Sequence, residues 1–164
     1  MANNGRIVNV SSMAHNFVHK GFLNDLQSTN RYDPWVAYGM SKAANLLFTY
    51  ELNKRLKKAG SGIISIATHP GYTATNLQKS RFPFWEFANS HFAMSLAEGT
   101  QAQLLASFSP DVQASENNYL GPKYGMFGKP AIHSTGRQDE VSMENLWSLS
   151  LKITEDFNFF YHYL

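Results

Sequence analysis

Two short β-branched runs flank one long amphipathic stretch, and this alternation sets the expected architecture. Arg6-Ile7-Val8-Asn9-Val10, preceded by Gly5, reads as a buried strand. Ser11 to Arg31 is polar and irregular, and predicts a loop. Asp33-Pro34 has the form of a helix start: the aspartate accepts from exposed N–H groups of the first turn, and a proline at the first helical position forfeits no hydrogen bond. The helix is expected to run to about Lys58. Ala44, Phe48, Leu52 and Leu56 would form its apolar face, Lys54, Arg55, Lys57 and Lys58 would sit at the negative end of its dipole, and Gly60 would end it. Ile63-Ile64-Ser65-Ile66-Ala67 repeats the strand pattern and leads into His69-Pro70-Gly71.

Strand, long helix and strand make a βαβ unit. Its strands should be parallel and its crossover right-handed, so the loops leaving Val10 and Ala67 open on the same carboxyl edge, where α/β sheets bind ligands. Past Thr75 the chain turns aromatic and uneven, and Arg81-Phe82-Pro83-Phe84-Trp85 reads as a mobile or substrate-facing segment. A helix from about Met94 to Phe108, a short strand over Asn118 to Leu120, a loop from Gly121 to Gly136 and a closing helix from Asp139 to about Asp156 complete the prediction. The sequence holds no internal repeat, low-complexity tract or linker.

Composition narrows the class. At 164 residues, 16% charged and a formal charge of +2, the chain is one globular domain rather than a disordered tail, a coiled coil or a supercharged nucleic-acid binder. No nucleic-acid partner is expected. The absence of cysteine removes a disulfide framework, a thiolate zinc site and a cysteine nucleophile, and leaves hydroxyl and phenol chemistry open. No stretch approaches the roughly 20 apolar residues of a membrane span, and Met1-Ala2-Asn3-Asn4-Gly5-Arg6 is not a leader, so a cytoplasmic location is expected.

The sharpest chemical feature is Tyr38-Gly39-Met40-Ser41-Lys42. Residues four apart share a helix face, so the Lys42 ammonium can lie beside the Tyr38 phenol and favour its phenolate, which makes a usable acid and base. Tyr50 to Lys54 and Tyr119 to Lys123 have the same spacing and act as controls. Tyr50 lies deep in the helix, and Tyr119 precedes Gly-Pro and need not be helical. Only Tyr38 stands between a strand ending in Val10-Ser11-Ser12 and a second ending before Pro70-Gly71. His15-x-x-x-His19 has helical metal-ligand spacing but lies in a loop with no evident third ligand, so no metal is expected. The basic cluster Lys54 to Lys58 reads as a solvated face. Phe82, Phe84, Trp85 and Phe87 fit either a lipophilic pocket or ordinary packing.

Three blocks in order, Gly5-Arg6-Ile7-Val8-Asn9-Val10-Ser11-Ser12, Tyr38-x-x-x-Lys42-Ala43-Ala44-Asn45 and His69-Pro70-Gly71-Tyr72-Thr73-Ala74-Thr75, resemble the short-chain dehydrogenase/reductase family. Ala14-His15 through Gly21, Asp25-Leu26, Tyr32, Tyr119-Leu120-Gly121-Pro122, Gly128-Lys129-Pro130 and Asn145-Leu146-Trp147-x-x-Ser150 resemble its retinol-dehydrogenase and WW-domain-oxidoreductase-like branch. The resemblance implies an α/β fold with a Rossmann-like, doubly wound parallel sheet. It implies an NAD(P)-dependent oxidoreductase that interconverts an alcohol and a carbonyl, with NADP mildly preferred over NAD. Tyr38 would exchange the proton with the substrate oxygen and also contact the cofactor, Lys42 would assist it and hold the nicotinamide ribose, and Ser12, with Ser11 as fallback, would hydrogen-bond the substrate carbonyl. Pro70 and Gly71 would shape the cofactor loop, and the Thr73 backbone and Thr75 side chain would bind the carboxamide.

The family's glycine-rich Gly-x-x-x-Gly-x-Gly turn and its Asn-Asn-Ala-Gly are not in the sequence. By this resemblance the chain corresponds to the second, carboxyl-terminal half of one catalytic domain, with four strand–helix units of roughly 30 residues, about 120 in all, preceding it. Two functions follow as expectations. One is the oxidoreductase, acting on a small-molecule alcohol or carbonyl, lipophilic if the aromatic residues line its pocket, with a homo-oligomer formed through the Asp33–Lys58 helix. The other is a non-catalytic remnant or isoform that binds a protein partner through its open sheet edge and the long helix.

Overall fold

In the computed structural model, residues 5–73, 94–112, 119–136 and 139–154 are described. Strand β1 (Arg6–Val10) pairs in parallel with β2 (Ile64–Thr68), in a register running from Arg6 opposite Ile64 to Val10 opposite Thr68. β3 (Tyr119–Pro122) continues the parallel sheet beside β2, and β4 (Pro130–Ile132) closes it antiparallel, giving the order β1-β2-β3-β4. Between β1 and β2 runs α1 (Pro34–Lys58), capped by Asp33 with Pro34 at its start and followed by Gly60 at a φ of 65°. The βαβ expectation therefore holds, with its strand ends on one edge.

Three local expectations are corrected. The Ser11 to Arg31 stretch is not a plain loop but holds two 3-10 turns, Met13–Phe17 and Lys20–Asp25. The helix expected from Met94 to Phe108 is two, α2 (Leu96–Gly99) and α3 (Gln101–Phe108), and Met94 instead bridges to Thr73. The break falls where Gly99 packs so tightly on the Thr73 side chain that a Cβ would meet its Oγ1. The Gly121 to Gly136 segment contains β4, a three-residue edge strand too short to show a period-two pattern. The closing helix α4 is described over Glu140–Thr154.

The buried face of α1 also differs from the expected one. Met40, Ala43, Leu46, Leu47 and Tyr50 enter the core, whereas Phe48 is 38% exposed. Those residues pack with Val18, Phe22, Ala67, Tyr119, Met143 and Leu146 on one face of the sheet. Ile66 and Leu120 point to the other face, where they meet Ala102, Ala106 and Val112. The alternation of Ile66 with Ala67 and of Tyr119 with Leu120 shows why the strands carry apolar side chains on both sides. Arg6 links the layers, its guanidinium donating to Ala106 O and Ser109 O at 2.8 and 2.7 Å at the carboxyl end of α3.

One polar network fixes α1 to the sheet. β3 is described from Tyr119, opposite Ala67, and among the described residues no strand lies beside the backbone of Ser65 on that side. Asn53 substitutes for one: its Oδ1 accepts from Ser65 N–H at 2.7 Å and its amide donates to Ser65 O. The Asn9 amide donates to Thr49 Oγ1 at 3.0 Å and to Ser65 Oγ at 3.2 Å. Buried backbone groups are thereby satisfied beyond the end of the ladder.

Candidate active site

At the carboxyl edge of the sheet, Ser11 N–H donates to Thr68 O at 2.7 Å and carries the ladder one residue past β1. Ser12 then caps the first 3-10 turn, its Oγ accepting from Ala14 N–H at 3.2 Å. That bond occupies an acceptor position and leaves the hydroxyl hydrogen able to donate.

α1 begins beside this loop. In its second turn Gly39 lies so close to the loop that a Cβ would stand 2.8 Å from Ala14 O and 2.7 Å from Val18 Cγ2. A larger residue would push the turn carrying Tyr38 away from Ser12. Tyr38 is 43% exposed, and the Lys42 ammonium stands 5.6 Å from the centre of its ring. Lys42 Nζ donates to Val10 O at 3.1 Å, the Asn45 amide donates to the same oxygen at 2.9 Å, and Ser11 Oγ donates to Lys42 O at 2.8 Å. Strand end and helix are thus joined by three hydrogen bonds. Among the described residues, no hydrogen bond runs directly between the Ser12, Tyr38 and Lys42 side chains; they are brought together through the loop and the helix face.

The second loop leaves β2 at the same edge. Gly71 has a φ of 73°, and a Cβ there would meet Pro122 Cγ and Met126 O, so both conformation and space require glycine. Thr73 Oγ1 donates to Pro70 O at 3.1 Å and closes the turn. Tyr72 N–H donates to Met126 O at 2.9 Å, tying the loop to the β3–β4 connection. Thr75 and the aromatic residues Phe82, Phe84, Trp85 and Phe87 lie outside the described residues.

The two control pairs separate from Tyr38. Tyr50 is buried, bonds to Thr135 Oγ1 at 3.0 Å and has its phenol pushed up by burial, while Lys54 pairs with Glu144 at 3.1 Å. Tyr119 sits in a strand, and burial pushes its phenol well above the usual tyrosine value. Its hydroxyl has no hydrogen-bond partner in good geometry among the described residues; Ser11 Oγ is the polar atom beside it, already committed to Lys42 O. Of the three tyrosines, Tyr38 alone is open to solvent.

The expected metal-spaced histidines have separate tasks. His15 is buried with Nδ1 2.7 Å from Ser12 O, and His19 Nδ1 accepts from Gly21 N–H at 3.1 Å. Sequence reading missed the surroundings of the site: Gly39, Asn45, His15, and His69 with Tyr119. His69 follows β2 and Tyr119 opens β3, and no local pattern reveals the pairing of those strands, whereas Gly39 and Asn45 lie in the helix block Tyr38 to Asn45.

Known proteins share this arrangement of chain. Retinol dehydrogenase 12 from Mus musculus is 34% identical over 151 residues, 90% of this chain and 45% of the relative. Polyprenol dehydrogenase from Homo sapiens is 31% identical over 153 residues, 91% of this chain and 44% of the relative. A solved structure of an uncharacterized protein from Mycobacterium paratuberculosis superposes with a TM-score of 0.71 at 35% identity, covering 93% of this chain and 51% of that one. The chain belongs to the short-chain dehydrogenase/reductase family. As a short-chain dehydrogenase/reductase it spans about half the length of the curated relatives it matches. No family model matches it. No helix among the described residues is long and apolar enough to cross a membrane.

Proposed function

We propose that the protein is an NAD(P)-dependent oxidoreductase that interconverts an alcohol and a carbonyl, and that Ser12, Tyr38 and Lys42 are its proton-transfer set. One observation carries the reading: the solvent-open Tyr38, with the Lys42 ammonium 5.6 Å from its ring, is docked through Gly39 onto the loop that presents Ser12. In this reading Ser12 donates to the substrate oxygen and Tyr38 gives or takes its proton. Lys42 sits one helical turn away and supplies the positive charge.

The residues present fit the nicotinamide-ribose end of the cofactor. An ammonium and a phenol on one helix face, opposite the Pro70–Thr73 loop, suit a ribose and a carboxamide, and Thr75 is assigned to the carboxamide by resemblance. A bound nicotinamide cofactor would supply the hydride. A phosphate turn has no counterpart among the described residues: α1, α2 and α4 open on Asp33, Ser95 and Asp139 rather than on a glycine run. NADP is preferred over NAD on the family branch alone.

The substrate is proposed to be a lipophilic alcohol or carbonyl, the class suggested by relatives named for retinol and polyprenol. A second copy bound along α1, where Trp35 and Val36 are exposed, is proposed as the partner. The test is carbonyl reduction with NADPH and NADH by the protein in its longest natural form. Tyr38→Phe should lower kcat by about 100-fold or more, a far larger effect than any loss of cofactor affinity. Undiminished turnover overturns the reading. The 164-residue chain alone is expected to bind NADPH weakly and to turn nothing over.

A further inference from the structure

Behind the two loops of the site lies a cluster of three histidines and a tyrosine, of which all but the half-buried His133 are buried. His15, His69 and Tyr119 are each at most 3% exposed. His15 meets the Tyr119 ring edge-on at 5.5 Å and 85°, and His69 stacks on it at 5.0 Å and 27°. His133 flanks both, 5.7 Å from His69 and 6.2 Å from Tyr119.

The partners of the two loop histidines fix opposite tautomers. Ser12 O, a carbonyl, only accepts, and it receives both the His15 backbone N–H at 3.1 Å and the ring Nδ1 at 2.7 Å, so His15 carries its proton on Nδ1. Gly71 N–H only donates, and it points at His69 Nδ1 at 3.3 Å, so that nitrogen is bare and the proton is on Nε2. One ring therefore holds the peptide of Ser12, and the other holds the turn at Gly71. Both rest on the same phenol.

We infer that Tyr119 with His15 and His69 is a single positioning unit, which registers the Ser12 loop against the Pro70–Thr73 loop. The functional meaning rests on the proposed oxidoreductase reading, in which those loops serve substrate and cofactor. None of the three is a catalytic residue; the histidines act through the backbone they hold, and Tyr119 acts through the histidines. Burial first, and then the neighbouring His133 and His15, pushes His69 down to about 4, so its ring is neutral at neutral pH and the Gly71 N–H decides which nitrogen is bare. The Tyr119 ring supplies the shared surface, and its hydroxyl is not needed.

The test begins with ring-¹⁵N histidine labelling of the chain and long-range proton–nitrogen correlation at pH 7. His15 should be the Nδ1–H tautomer and His69 the Nε2–H tautomer, and a mixture at either site overturns the assignment. Amide exchange at Gly71 then reads the turn. His69→Asn, whose side-chain oxygen replaces the Nδ1 acceptor, should keep exchange within about 3-fold of the parent, and His69→Leu should speed it at least about 10-fold. Equal exchange in the two variants overturns the inference.

Tyr119→Phe should leave both tautomers intact, whereas Tyr119→Leu should mix them. If Tyr119→Leu fails to fold, His15 decides: His15→Asn, with its amide donor where Nδ1 stood, should preserve the His69 tautomer and Gly71 exchange, while His15→Gln should disturb both. No response at Gly71 to His15→Gln would show that the loops are not coupled. None of these readouts needs turnover, so they stand or fall apart from the oxidoreductase reading. In the active natural form, His15→Gln should lower kcat several-fold without changing the KM for NADPH, and His15→Asn should restore it.

Discussion

Gly121 lies flat against the His69 imidazole, with the ring occupying the volume where any Cβ would project. Its backbone carries β3 across the face of the ring, and Gly121 O accepts from His133 Nε2 at 3.3 Å. The glycine is required by a close approach rather than by a turn. Gly121→Ala should lower unfolding stability by about 1–3 kcal/mol, because His69 is packed on its other side by Tyr119 and has nowhere to move. Urea unfolding measures it, and an unchanged midpoint would mean that the ring can swing aside.

His69 also predicts an acid limb of stability. Its folded value is pushed down to about 4 from an ordinary 6.5, first by burial and then by the facing His133 and His15. Between these values the unfolded chain binds a proton that the folded chain refuses. The stability contribution is therefore complete above about pH 6.5 and is lost as pH falls toward 4, by roughly 3 kcal/mol in all. Equilibrium unfolding at pH 7, 5.5 and 4.5 should show the decline, and His69→Asn should flatten it. The same slope in the variant would assign it to other groups.

Where local chemistry decided the outcome, the chain could be read directly. Asp33-Pro34 started α1 and Gly60 followed its end because capping geometry is a matter of a few adjacent residues. The βαβ unit, and with it the shared edge of Ser12, Tyr38 and Pro70, followed from strand–helix–strand order. The buried side of α1 did not, since the helix is apolar on two sides: Met40, Ala43, Leu46 and Tyr50 meet the sheet, while Phe48 meets Trp147 of α4. A four-residue spacing cannot say which stripe faces which neighbour. The His15–Tyr119–His69 cluster was equally hidden, because only the pairing of β1, β2 and β3 brings the turn after β1, the residue after β2 and the start of β3 side by side.

Gly39 gives a prediction in which two effects of opposite sign compete. Replacing a helical glycine by alanine favours the helix by about 1 kcal/mol. Here the new methyl would stand 2.8 Å from Ala14 O, a backbone atom, and 2.7 Å from Val18 Cγ2. Backbone cannot rotate away, so overlap should win and Gly39→Ala should destabilise by about 1–2 kcal/mol net. Thermal unfolding decides the sign. Faster amide exchange at His15, whose N–H bonds Ser12 O, would locate the damage in the loop.

Trp147 should dominate the docking of α4 on α1. Its ring stacks on Phe48 at 5.7 Å and 8°, and the Arg55 guanidinium lies over it at 4.4 Å. Arg55 is itself held by the buried carboxylate of Glu51 at 2.7 Å, so the cation is fixed in place before it meets the ring. Lys54 also bridges the two helices, to Glu144 at 3.1 Å and Glu140 at 3.5 Å, but all three side chains are solvent-exposed. Exposed pairs hold little net energy and are screened by salt, whereas a ring packed between an aromatic face and a planar cation loses contact area that water does not replace. Trp147→Ala should therefore cost about 2–4 kcal/mol, with no dependence on ionic strength. Lys54→Ala should shift the urea midpoint only slightly, and that shift should vanish at 1 M salt, on the order of a 3 Å screening length. A larger loss from Lys54→Ala than from Trp147→Ala would show that charge, rather than ring packing, holds the closing helix.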